Sequence, residues 1–117
     1  MDTPAAMNLH RVDLVSLSLF SLVARTGSIS KGAALAALAV GAASKRLSDL
    51  EHSLGTTLLE RHSRGVTLTP AGLALQQHAQ RILSDVDQMT ADLSDYASGL
   101  TGLSILEGVV WLLEQQR

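Results

Sequence analysis

The sequence predicts a mainly α-helical fold: three short helices, a β-hairpin and one long helix. Three observations carry this. Apolar residues recur at helical spacing in segments closed by Gly27 and Gly55. Two short β-like runs, "TLLER" and "VTLT", flank "HSRG". Beyond them Thr69 and Pro70 open a stripe of apolar residues sustained over three heptads. A length of 117 residues suits one compact domain with an appendage.

The composition narrows the classes. With 46% hydrophobic and 17% charged residues the chain can bury a core and does not read as disordered. Phe20, Tyr96 and Trp111 are the only aromatics, so that core is aliphatic. The absence of cysteine excludes disulfides and thiolate metal sites. The uncharged run 96–106 is too short to span a bilayer, which needs about 20 residues, and the N-terminus lacks a signal-peptide layout. A soluble intracellular protein is expected.

The first helix, roughly Asp13 to Thr26, sets Leu17, Phe20, Val23 and Ala24 on one side and stops at Gly27. A short second helix follows, with Ser28 or Ser30 as its N-cap. In the third, "VGAASKRLSDLEHSLG", Ala43, Leu47, Leu50 and Leu54 step by four, three and four and predict one buried stripe. Two such helices a few residues apart make a helix-turn-helix pattern. The flanked "HSRG", with Gly65 free to take positive φ, then reads as a hairpin wing appended to it. The predicted fold is therefore a winged helix-turn-helix of three helices plus wing, over residues 1–69. A long helix spans 70–98, and 99–117 forms a tail.

One face of the third helix is slim: Val40, Gly41, Ser44, Lys45 and Ser48. A helix entering a DNA major groove needs a narrow end with hydroxyls and amines that reach bases or phosphates. Arg64 at the wing tip can enter a minor groove, and Arg61 can pair with phosphate. The net charge of −2 conceals a basic front half: residues 25–80 carry six cations against three anions, and those from Arg81 onward two against six. One anion-facing surface suits a DNA-binding module. His62, also near the tip, could meet phosphate when protonated. Asp49 and Glu51 read as solubilising acids on a helix surface.

Along the long helix, Leu75, Ala79, Ile82, Val86, Met89, Leu93 and Tyr96 alternate steps of four and three. So long a stripe can pack back on its own domain or pair with the same helix of a second subunit. Pairing is the preferred reading, because so short a chain leaves the stripe no other partner; two-fold symmetry would then present two recognition helices to two half-sites. In the tail, Leu106, Val109, Val110 and Leu113 form a possible short helical stripe beside Trp111.

The succession "LFSLVARTGSISKGAALA", "AASKRLSDLEHSLGTTLLER" and "RGVTLTPAG" resembles the N-terminal domain of LysR-type transcriptional regulators, over roughly residues 14–96. The resemblance implies promoter binding on double-stranded DNA, a linker helix that forms the homodimer, and a bacterial cytoplasmic, nucleoid-associated location. It also assigns roles: Ser44 and Lys45 match recognition-helix contacts, Lys31 a basic position of the second helix beside Ser30, Arg64 the wing contact. Thr69 closes the set of candidate DNA contacts. Ala39-Val40-Gly41 stands where the family usually has Ser-Gln-Pro, which removes a capping hydroxyl and a base-reading amide and leaves Val40 to touch a thymine methyl. Ala36 replaces a usual core leucine, for which Leu35 or Leu38 must compensate. Family members continue into an effector-binding domain, and 117 residues leave no room for such a small-molecule site.

No phosphate loop, nucleophile elbow or paired catalytic carboxylates are visible, and His10, His52, His62 and His78 lack metal-ligand spacing. No enzyme activity, cofactor, metal or membrane partner is expected. The leading reading is a sequence-specific transcription regulator; the alternative is a dimerisation module that binds DNA weakly and titrates a full-length relative.

Overall fold

The structure, a computed structural model, describes residues 12–98. The order is α1 (Leu14–Thr26), α2 (Ile29–Leu35), α3 (Val40–Leu54), β1 (Leu59–His62), β2 (Gly65–Leu68) and α4 (Pro70–Ser98). The tail stripe around Trp111 and His10 lie outside the described residues. Among the described residues no helix is long and apolar enough to cross a membrane.

Caps set the helix boundaries. The Asp13 carboxylate accepts from the Ser16 amide at 2.8 Å and opens α1. That bond, with smaller help from Arg46, holds its carboxyl below the usual carboxylate range. Gly27, at φ 70, closes α1 in the left-handed region. Of the two candidate serines, Ser28 is the cap of α2: its hydroxyl accepts from the Lys31 amide. Ser30 lies exposed in the first turn. Ala39 precedes α3 with no side-chain hydrogen bond. A hydroxyl there is worth about 1 kcal/mol, so Ala39→Ser is expected to raise the chemical-denaturation midpoint at an unchanged slope.

The core joins Leu19, Phe20 and Val23 of α1 to Ala33 of α2, Ala43, Leu47 and Leu50 of α3, and Leu58, Leu59 and Val66 of the hairpin. Burying each large aliphatic side chain stabilises by about 1.5–3 kcal/mol. Ala24 and Leu54, expected in the stripes, are only partly buried. Behind Ala36 the compensating leucine is Leu38, which packs on the core, whereas Leu35 is exposed.

The strands pair antiparallel, with Leu59 opposite Leu68 and His62 opposite Gly65. The turn is therefore Ser63–Arg64, and His62 belongs to the strand rather than to the tip. Gly65 takes φ 136, and its backbone lies so close to the Gly27 carbonyl that a Cβ would collide with it. The same carbonyl accepts from the Val66 amide at 3.0 Å. The wing is thus docked on the C-terminus of α1 through two glycines.

Glu51 is not merely a solubilising acid. Its Oε2 accepts from the backbone amides of Leu58 and Leu59, at 2.7 and 3.1 Å, where the chain enters β1. Asp49 forms an ion pair with Lys45, at 2.9 Å.

The chain divides into two units inside α4, between Leu83 and Ser84. In the first, Leu75 packs on the core and Ala79 is fully buried. Ala79 has no surface left for a second subunit, so the early part of the heptad stripe belongs to its own domain. Gln76 is buried beside them and donates to the Ser21 carbonyl at 3.4 Å. Ile82 is exposed. In the second unit Val86 is partly buried, while Met89, Leu93 and Tyr96 are exposed.

Candidate nucleic-acid interface

The local folding that builds the site starts from α3. Ala43, Leu47 and Leu50 turn one side of the helix into the core, which leaves Val40, Gly41, Lys45 and Ser48 exposed and Ser44 partly covered. Nothing lies within 4 Å of where a Gly41 Cβ would sit. The slim face inferred from the sequence is therefore open at its N-terminal end. On the neighbouring side of the helix the Arg46 guanidinium reaches Asp13 at 3.4 Å and the Ser16 hydroxyl at 3.3 Å. That tie from α3 to α1 has no signature in the sequence, since its ends lie thirty or more residues apart.

The wing approaches this face at Ser44. Directly opposed residues of an antiparallel pair share a face, so Arg61 shares with Val66 the face that Leu59 and Leu68 turn toward the core. Being the outermost of these, Arg61 extends past the core edge, and its Nη1 lies 3.5 Å from Ser44 Oγ. Arg61 is therefore a residue of the strand beside α3. Glu60 and His62 point to the opposite face by strand alternation. Arg64 is exposed in the two-residue turn.

The fold thus brings together Ser44, Lys45, Ser48 and Arg61, with Val40 and Gly41 one turn earlier on α3. Lys45 Nζ is held by Asp49 on the next turn, and as an exposed pair this contributes little stability. Lys31 and Ser30 are exposed at the start of α2. Thr69 differs from the other candidates. Its hydroxyl donates to the Thr57 carbonyl at 2.7 Å and accepts from the Gly72 amide at 2.9 Å. It caps α4 and ties it to the loop before β1, so its hydrogen-bonding capacity is largely taken up inside the domain. Among the described residues no group of three histidines or carboxylates is placed to hold a metal ion.

A buried helix pair, with a second helix whose outer face is bare and a hairpin laid beside it, is a winged helix-turn-helix. The chain matches the lysR family of bacterial regulatory helix-turn-helix proteins over residues 14–73. It is 37% identical over 87 residues to the HTH-type transcriptional regulator YhjC of Escherichia coli, covering 74% of this chain and 29% of that protein. To the HTH-type transcriptional regulator GbpR of Azospirillum brasilense it is 39% identical over 92 residues, 79% of this chain and 27% of the relative. Among solved structures it resembles the BenM DNA-binding domain in complex with catB site 1 DNA, with a TM-score of 0.71 and 39% identity over 74% of this chain and 98% of that one. The chain belongs to the LysR family. It spans under a third of the length of these two regulators.

Proposed function

We propose that this chain is the DNA-binding part of a transcription regulator, that it works as a homodimer through α4, and that it acts on chromosomal DNA in a bacterial cytoplasm. The observation that carries the reading is the juxtaposition of Arg61 with Ser44, which joins a cationic wing strand to the bare face of α3. In the bound state α3 enters the major groove, with Ser44, Lys45 and Ser48 toward bases and phosphates. Arg64 follows the adjoining minor groove and Arg61 takes a phosphate. Lys31 and Ser30 of α2 meet the backbone, as does the Thr69 segment.

The exposed Ile82, Met89, Leu93 and Tyr96 support the dimer: they form the part of the α4 stripe that the monomer leaves uncovered. Residues 1–69 then form the reading head and 70–98 the linker and dimerisation helix. Similarity to a DNA-binding domain crystallised on its site supports the same partner.

Gel-shift titration against promoter fragments of its own genome tests the reading. Affinity is expected to fall steeply with salt, with a slope of about 0.9 per neutralised phosphate. Lys45→Ala and Arg64→Ala should each weaken binding and lower that slope by about 1, with an unchanged circular-dichroism spectrum. Dimers that shift no fragment would instead identify a module that titrates a full-length relative. The uncapped start of α3 at Ala39 is the feature that favours this second reading.

A further inference from the structure

The first turn of α3 differs chemically from the second. Val40 is 50% exposed, Gly41 and Ala42 are exposed, and the space around Gly41 is open. None of these three side chains holds a donor or an acceptor. Polar groups on this face begin only at Ser44. In a major groove the edges of bases are distinguished by donors, acceptors and one apolar group, the C5-methyl of thymine. A turn that ends in an isopropyl group can respond only to the last of these.

On the basis of the DNA-binding reading above, we infer that Val40 is a specificity-determining residue that selects a C5-methylated pyrimidine. Gly41 assists by adding no bulk beside it, so that the isopropyl group can approach the methyl closely. The chemistry carries a further consequence. Val40 cannot sense whether position 4 of the pyrimidine bears an oxygen or an amino group. Thymine and 5-methylcytosine are therefore equivalent to it, whereas cytosine and uracil are both deficient. Binding at one position of each half-site responds to cytosine methylation, with the methyl group strengthening it.

The test begins with selection of duplexes from a random library by the full chain. Each dT of the selected half-site is then replaced by dU. At one position the loss of the methyl group should weaken binding about four-fold, the equivalent of one buried methylene. With Val40→Ala that position should become indifferent to the replacement, while affinity still depends on Arg64. Replacing the same dT by dC should weaken binding, and 5-methyl-dC there should bind about four-fold tighter than dC. If no dT-to-dU replacement matters, or if the effect persists undiminished in Val40→Ala, the inference falls while DNA binding stands. If the library yields no bound duplex, the DNA-binding reading itself falls, and this inference with it.

Discussion

Gly65→Ala is expected to destabilise the domain by about 3 kcal/mol, lowering its melting temperature by more than about 10 °C. Two effects act together. Alanine at φ 136 occupies a region that only glycine visits freely. Its Cβ would also meet the Gly27 carbonyl, which already accepts from Val66. Relief requires the hairpin to lift from α1, which uncovers Val66 and Leu59 in the core. Gly41→Ala is the control of opposite sign: its surroundings are open and its position helical, so it should stabilise by a few tenths to about 1 kcal/mol. Thermal unfolding followed by circular dichroism measures both. An unchanged melting temperature for Gly65→Ala would mean that the wing is not held against α1.

The pair shows what the sequence could and could not tell. That Gly65 would adopt positive φ follows from its place after a short turn. Its approach to Gly27 could not be foreseen, because the partner lies thirty-eight positions away and both residues lack side chains to leave a pattern. Legible features share a local cause. Helix α3 could be placed because Ala43, Leu47 and Leu50 repeat at its period and Gly55 stops it. Ser28 and Ser30 are indistinguishable as caps by sequence, since each has an amide three residues on; the start of α2 at Ile29, with the Ser28 hydroxyl accepting from the Lys31 amide, decides for Ser28.

Contacts between elements were illegible. Glu51 sits on an exposed-looking helix position, yet its carboxylate receives the Leu58 and Leu59 amides seven and eight residues on. Arg61 and Arg64 lie three positions apart, a spacing that does not say which face each takes. Register separates them: His62 pairs with Gly65, which puts Arg61 on the core-facing side of the strand and brings it to Ser44. For the candidate site, the sequence proposes residues of α3 and the wing, and the fold supplies which of them meet.

The heptad stripe of α4 poses the same problem in another form, because a period cannot say whose surface covers it. Burial divides the stripe: Ala79 is wholly enclosed by its own chain, while Met89 and Leu93 lie open. Charged substitutions should therefore have opposite consequences along one helix. Ala79→Asp places an unpaired carboxylate in the core and is expected to unfold the domain, since such a burial destabilises by several kcal/mol. Met89→Asp with Leu93→Asp touches no core residue and should leave the melting curve of the monomer unaltered. In sedimentation experiments that double variant is expected to run as a monomer. Its affinity for a two-half-site duplex should drop by about 10²-fold or more, because the second reading head loses the effective concentration that a shared helix pair gives it. Binding to an isolated half-site should be unchanged. A double variant that stays dimeric, or a monomer that binds the paired sites as tightly as the parent, would remove α4 as the element that sets two reading heads on one duplex.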